Sequence, residues 1–231
     1  MLETSRIKAI TLDLDDTLWP VWPTIHRAEA LLQAWLAERA PATAAVFATA
    51  HGMRALRDAA HAALPHLVHD LSAMRLEMIR RGLEQAGEEQ ALAQPAFEVF
   101  FEARNQVNLF EDSLDALRWL ASRYPVLAVS NGNASVHKVG LGAYFVGSVS
   151  ARDAGAAKPD ARIFHAACDH LQLAPEDILH VGDDAALDVL GALAVGMQTA
   201  WINREDHAWA HPQLPHLSVG SMAELCDALG R

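Results

Sequence analysis

Two carboxylates spaced two residues apart, Asp13 and Asp15, follow a short apolar run, Ser130 and Asn131 follow a second, and Asp183 and Asp184 follow a third. Lys158 stands between the last two, ahead of a helical pattern. Each type has a chemistry. A carboxylate can act as nucleophile, as acid or base, or as an oxygen ligand to a hard cation. A lysine, a hydroxyl or a backbone N–H can hold an anion. Carboxylates gathered at one place repel one another unless a cation joins them, so this set implies a metal if the fold brings it together. Taken singly, the same residues have plainer readings: Asp-x-Asp can cap a loop, Asn131-Gly132 is a common turn, and Lys158 can be a solvated loop lysine.

The apolar runs are the elements that must do the gathering. Residues 7–12 (IKAITL) are rich in β-branched side chains and end at Asp13, the pattern of a buried strand whose carboxyl end meets a polar loop. From residue 24 to about 107 the period becomes helical: Ile25, Ala28, Leu32, Trp35 and Leu36, then Leu67, Leu71, Met74 and Met78. Pro41, Pro65 and Pro95 fall between patterns, where one helix ends or the next begins. After Asp112 strands and helices alternate. A helix carries Leu114, Leu117 and Leu120, and strands are expected at 126–129, 146–150, 178–181 and 197–202. Helices are expected at 163–171 and 186–195, the latter closed by Gly196. Ser221 followed by Glu224 predicts a capping box on a last helix.

Such alternation implies an α/β fold, a Rossmann-like three-layer core whose parallel sheet is covered on both faces. The expected division is a core of residues 1–19 and 111–231 interrupted by an all-helical insert of residues 20–110. In open parallel sheets ligands bind beyond the carboxyl ends of the strands, where Asp13, Asp15, Ser130, Asn131 and Asp183 all fall.

Composition narrows the classes of partner. With 52% apolar and 20% charged residues the chain is ordinary for a globular protein, and 231 residues can bury a sizeable core. Twenty-nine acidic against 18 basic residues give a formal charge of -11, which disfavours nucleic acid and anionic membrane surfaces as partners. No apolar run reaches the length of a membrane span, and the first residues lack a secretory pattern, so a cytoplasmic location is expected. Cys168 and Cys226 form no C-x-x-C pair, and the twelve histidines show no zinc-protease spacing. Both sets read as packing or surface residues. Trp35, Met74 and Met78 read as core of the insert, with His69, Asp70 and Arg75 as its polar candidates for ligand contact.

Asp13-Leu14-Asp15-Asp16-Thr17-Leu18 resembles the first motif of the haloacid dehalogenase superfamily, an Asp-x-Asp-x-Thr loop after a strand. Ser130 matches the second motif, Lys158 of Lys158-Pro159-Asp160 the third, and Gly182-Asp183-Asp184 with Asp188 the fourth. Four motifs in order on suitable elements are far more specific than a lone Asp-x-Asp. The helical insert sits where the subfamily with an α-helical cap carries it.

The resemblance implies a magnesium-dependent phosphatase acting on a small phosphomonoester, with Asp13 as covalent nucleophile and Asp15 as general acid and base. It implies Mg2+ held by Asp13, the Asp15 carbonyl and Asp183, and phosphoryl oxygens bound by Lys158, Ser130, Thr17 and the backbone of Asn131 and Gly132. Asp188 and Asp184 would support that set, Asp188 by orienting Lys158 or a metal-bound water. Dehalogenases of the superfamily lack a carboxyl at the position of Asp15, which favours phosphoryl transfer here. A sugar phosphomutase or a phosphatase for sugar phosphates or phosphoglycolate stays open. So, from another class, does a non-catalytic binding module. Val129-Ser130-Asn131-Gly132-Asn133, Gly140-Leu141-Gly142-Ala143-Tyr144-Phe145, Ile178-Leu179-His180-Val181-Gly182-Asp183-Asp184 and Ala200-Trp201-Ile202 are similar to the proteobacterial phosphatases of flavin mononucleotide and of 5-amino-6-(5-phospho-D-ribitylamino)uracil. These segments frame the core rather than the insert, where the likeness is weaker.

Overall fold

The structure, a computed structural model, describes residues 1–231. The chain divides into two compact units, Met1–Pro20 with Asn108–Arg231, and Val21–Val107. The first unit opens with β1 (Ala9–Leu12), and the chain then enters the second, whose helices are α1 (Val21–Arg39), α2 (Pro41–Phe47), α3 (Ala50–Ala63), α4 (Leu71–Ala86) and α5 (Ala93–Arg104). No helix of the chain is long and apolar enough to cross a membrane.

The insert has a core of its own. Ala28, Leu32 and Leu36 recur four residues apart on α1, so one stripe of the helix is buried, and they pack with Leu56, Met74, Ile79, Leu83 and Phe100. Each large apolar side chain removed from water there contributes about 1.5–3 kcal/mol. The helix ends are set locally. Pro41 opens α2, the Thr49 hydroxyl accepts from Gly52 N at 3.0 Å to cap α3, and Asp70 accepts from Ala73 N at 2.9 Å to cap α4. Gly87, at φ 69°, ends α4 in the left-handed region that glycine adopts without strain. Two of the polar candidates therefore have structural employment inside the insert, Asp70 as that cap and Arg75 paired with Glu29 at 3.1 Å over the face of Phe100. Met74 and Met78 are buried, and Trp35 packs against the same cluster.

The chain re-enters the first unit through α6 (Ser113–Ala121) and β2 (Val126–Ser130). Next come β3 (Gly147–Ser150), α7 (Ala151–Ala154), α8 (Ala161–Leu171), β4 (Ile178–Gly182), a π-helical turn Ala185–Leu190 running into α9 (Gly191–Ala194), β5 (Gln198–Ile202), β6 (Leu217–Val219) and α10 (Met222–Ala228). The single helix expected over 186–195 is thus a wide turn followed by one short helix. The sheet has the order β3-β2-β1-β4-β5-β6, with every pairing parallel. Every residue of β1, β2, β4 and β5 is buried, which requires both faces of the sheet to be covered and explains their unbroken apolar runs. On one face Leu127, Val129 and Ile178 pack with Ile163, Phe164 and Ala167 of α8 and Ala192 of α9. Helices α6 and α10 pack on each other, where the buried Cys226 Sγ meets Ala116 O at 3.7 Å.

Two details position the site. From the central β1 the strand order runs outward through β2 and β3 on one side and through β4, β5 and β6 on the other, so the boundary of β1 with β4 is a topological switch point where a crevice opens at the carboxyl ends. The two ends of the insert are also clasped: the Leu18 carbonyl accepts from Phe110 N at 3.0 Å and from Ser113 Oγ at 2.8 Å. Those bonds return residues 108–110 to the first unit, a few residues before the expected boundary at 111.

Candidate active site

Asp13 is the residue immediately after β1, Ser130 the last of β2 and Asp183 the first after β4, so adjacent strand ends bring three polar side chains together. Asp13, Asp15, Asp16, Ser130, Asn131, Gly132, Lys158, Asp183, Asp184 and Asp188 line one cavity of about 170 Å3 within the first unit. Residues from the four separated motifs therefore share one crevice.

The loop after β1 is a tight turn. Leu18 N bonds Leu14 O at 2.8 Å, Asp16 N bonds Trp19 O at 2.7 Å, and Asp16 sits at φ 56°, a conformation aspartate tolerates better than most side chains. The buried Trp19 indole N–H donates to Asp15 Oδ1 at 2.8 Å and so fixes that carboxyl. The Thr17 hydroxyl reaches Asp183 Oδ1 at 3.1 Å, with Asp13 Oδ2 at 3.4 Å. Behind the loop Arg204 donates to the Thr17 carbonyl at 2.9 Å and pairs with Asp112 at 3.1 Å, and Asp112 also accepts from Met222 N at the start of α10.

Lys158 is the hub. Its buried ammonium donates to Asp13 Oδ1 at 2.5 Å, to Asp188 Oδ1 at 2.5 Å and to the Val129 carbonyl at 3.1 Å, which accounts for all three of its protons. The Asn131 side chain brackets the lysine's backbone, its Nδ2 donating to Lys158 O at 3.0 Å and its Oδ1 accepting from Lys158 N at 2.7 Å. That side chain thus positions Lys158. The Gly132 N–H is also engaged, on Ser130 Oγ at 2.9 Å, which leaves the serine's own proton to donate elsewhere. Asp184 caps the π-helical turn, accepting from Ala186 N and Leu187 N at 2.8 Å each. Its own N–H goes to Asp188 Oδ2 at 3.1 Å.

The electrostatics point the same way. Burial, with Asp188 and Asp183 close by, pushes the Asp13 carboxyl well above the ordinary carboxylate range despite the Lys158 ammonium. Burial, then Asp188 and Asp16, raises Asp183 to about 7. Asp188 is buried too, yet Lys158 and His180 hold it down at about 2, and Asp13 with Asp188 keeps Lys158 charged against its own desolvation. Ligand oxygens of Asp13, Asp183 and Asp188 lie within 4.8 Å of one another. Three carboxylates against one ammonium leave two formal negative charges, which a hard divalent cation would balance. Both Asp188 oxygens already serve Lys158, His180 and Asp184 N, so the oxygens of Asp13 and Asp183 are the ones with capacity for such a cation.

Three participants escaped the sequence reading. Trp19 and Arg204 act on residues of the loop after β1, and His180, a member of a buried strand, bonds Asp188 at 3.1 Å. The signal available for His180 was a titratable residue inside an otherwise apolar strand, one turn of chain ahead of Asp183.

Comparison with known proteins supplies the class to which this parallel-sheet fold belongs. The model of haloacid dehalogenase-like hydrolases matches residues 7–196, and the chain belongs to that family of hydrolases. It is 34% identical to the 5-amino-6-(5-phospho-D-ribitylamino)uracil phosphatase YigB of Escherichia coli, over 97% of both chains. It is 28% identical to a phosphoserine phosphatase of Thermus thermophilus, over 96% of this chain and all of the relative. Among solved structures, a 2-haloacid dehalogenase from Pseudomonas syringae superimposes with a TM-score of 0.92 at 36% identity, covering 97% of this chain and 99% of the other.

Proposed function

We propose that the chain is a magnesium-dependent phosphatase that hydrolyses a small phosphomonoester through an aspartyl phosphate on Asp13. The observation that carries this is the pairing of two carboxylates with distinct situations in one cavity: Asp13, bonded to the Lys158 ammonium, and Asp15, held apart from it by the Trp19 indole. A carbon–halogen bond leaves as halide and needs no proton, so a carboxyl at position 15 has employment in phosphoryl transfer and none in dehalogenation.

In the first step an Asp13 oxygen forms a bond to phosphorus while the bond to the ester oxygen breaks, and Asp15 gives that oxygen its proton. In the second, water attacks the phosphorus, Asp15 takes the proton, and phosphate leaves with Asp13 restored. The Ser130 hydroxyl has a proton to donate to a phosphoryl oxygen, and the Lys158 ammonium, whose protons serve Asp13, Asp188 and the Val129 carbonyl, lends its positive charge to the same site while Asp188 keeps it charged and in place. Asp13, the Asp15 carbonyl and Asp183 would hold Mg2+, which supplies positive charge to the equatorial oxygens of the transferring group.

For the substrate we favour a ribityl phosphate attached to a ring system, either flavin mononucleotide or 5-amino-6-(5-phospho-D-ribitylamino)uracil. Support comes from the alignment with the Escherichia coli phosphatase, which spans 97% of both chains. Discrimination is assigned to residues 24–107, because binding energy from the non-reacting part of a large substrate can be used to accelerate the reacting part. The test is phosphate release from those two esters, sugar phosphates, nucleoside monophosphates, phosphoserine and phosphoglycolate, compared by kcat/KM with magnesium present. A ranking headed by the ribityl esters, and altered when residues 24–107 are exchanged for a relative's insert, supports the assignment. A small sugar phosphate or phosphoglycolate at the head would reject the substrate and keep the chemistry. Absence of turnover on every ester would reject both.

A further inference from the structure

His180 is completely enclosed in β4, where its neighbours Ile178, Leu179 and Val181 are aliphatic, and an imidazole in such a place is costly unless both ring nitrogens find partners. Both do. In the parallel register Thr11 of β1 stands beside His180, and its hydroxyl lies 2.8 Å from Nδ1. On the far side Nε2 lies 3.1 Å from Asp188 Oδ1, the same oxygen that accepts from Lys158 Nζ. Phe164 meets the ring edge-on with centroids 5.1 Å apart, so the imidazole has a fixed plane as well as two fixed ends.

Donor and acceptor rules then choose the tautomer. Asp188, paired with the lysine, is a carboxylate and can only accept, so the proton of the ring must be on Nε2. Burial disfavours the imidazolium, which leaves Nδ1 as a lone pair, and the Thr11 hydroxyl must be the donor there. Moving that proton to Nδ1 would turn the Nε2 lone pair toward the negative charge at Asp188, and the buried Thr11 hydroxyl satisfies the Nδ1 lone pair and steadies that end of the ring.

We infer that His180, held as the Nε2–H tautomer by Asp188 and steadied at Nδ1 by Thr11, is a positioning residue that fixes Asp188 and through it the Lys158 ammonium at the phosphoryl-transfer site. This deepens the phosphatase reading and rests on it. The chain of side chains runs Thr11, His180, Asp188, Lys158, Asp13, every one buried, so its first member acts on the nucleophile without touching substrate.

Nitrogen NMR of the magnesium-loaded protein near neutral pH reads the ring directly, and Lys158 Nζ reports whether its surroundings move. The wild type should show protonated Nε2 and bare Nδ1; Thr11→Val, which takes the donor from Nδ1, should keep the proton on Nε2 while shifting the Nδ1 and Lys158 Nζ resonances. For p-nitrophenyl phosphate, His180→Leu should lower kcat by about 10- to 100-fold with KM little changed, the range typical of outer groups that orient a site. His180→Gln can donate from its amide nitrogen to Asp188 and accept from Thr11, and should recover most of that loss. A protonated Nδ1 in the wild type overturns the inference. So does a folded His180→Leu with wild-type kcat, or a Gln variant as slow as the Leu one. Should the Leu variant fail to fold, Thr11→Val decides, since an unchanged Lys158 resonance there would also overturn it. An inactive wild type that shows the Nε2–H tautomer and the Thr11→Val shift would instead refute the phosphatase reading and keep the network.

Discussion

Substituting Gly182 by alanine tests the closest packing in the site. A Cβ at that position would lie 2.2 Å from Asp188 Cγ, 2.4 Å from its Oδ2 and 2.7 Å from its Cβ. Carbon atoms rest about 3.5 Å apart or more, so the carboxylate or the strand must retreat by on the order of 1 Å. Asp188 has no slack, being 1% exposed and holding Lys158, His180 and Asp184 N. A shift of that size takes ordinary hydrogen bonds of about 3 Å out of range. Overpacking costs about 1–3 kcal/mol and a weakened charge-assisted bond about 1.5–3 more, roughly 2.5–6 kcal/mol together. For a chain of this length that corresponds to a fall in Tm of about 5–24 °C. Loss of lysine positioning should lower kcat for an aryl phosphate by about tenfold or more. Calorimetry and steady-state kinetics on Gly182→Ala measure both, with Gly155→Ala as control: that glycine has φ 65° and nothing within 4 Å, so alanine there strains the backbone and leaves the site alone. A Gly182→Ala protein with wild-type Tm and kcat would show that the contact with Asp188 is not what fixes the lysine.

Two further perturbations separate the remaining roles. Asp15→Asn should impair alkyl phosphates far more than aryl phosphates in the first step, because an alkoxide needs its proton and a phenolate scarcely does, with an effect of about 10²- to 10⁴-fold. With an aryl ester the variant should release a burst of phenol and accumulate phosphoenzyme, whereas Asp13→Asn should give no burst, and equal losses on both ester types without trapped phosphoenzyme would count against Asp15 as acid and base. In the metal-free protein Asp183 is raised from its ordinary 3.8 to about 7, so between those values the folded form binds the extra proton and stability declines as pH rises through about 7. Magnesium binds the ionised carboxylate, so its increment in Tm should be larger at about pH 8 than at about pH 5, where protons compete; chelator should abolish both the increment and phosphate release, and an increment independent of pH would place the metal elsewhere.

Much of the core was legible because buried parallel strands leave a plain trace. Residues 126–129 and 178–181 read as strands from continuous apolar runs ended by a polar residue, and β2 and β4 extend each by one residue to Ser130 and Gly182. β6 escaped, since an edge strand of three partly exposed residues, Leu217–Val219, carries neither an apolar run nor a clean alternation. The wide turn at Ala185–Leu190 escaped because its apolar spacing is also helical. The Ser221 cap accepts from Glu224 N at 3.1 Å as the pattern suggests, but the Glu224 carboxylate turns to Gly220 N at 3.0 Å, a choice set by local geometry. In the site, motif spacing singled out residues that the sheet brings to one crevice. Their supports, Trp19 for Asp15, Arg204 for Thr17 and Thr11 for His180, are each defined by a partner's position in space and by no local pattern, and His180 itself shows only as a titratable residue within an apolar strand.

The clasp at Leu18 makes the long excursion between β1 and β2 behave as a closed loop whose mouth is pinned by two hydrogen bonds of the first unit. For a flexible loop the entropy of closure grows only with the logarithm of length, about 0.6 kcal/mol for each doubling. An insertion of Val21–Val107 is therefore only slightly more expensive to close than one half as long, and it brings its own apolar core to offset the cost. What lies beyond the pinned mouth can lengthen, shrink or be traded for a different fold while the catalytic strand ends stay in register, which is how one hydrolytic centre can be offered to many substrates over evolutionary time.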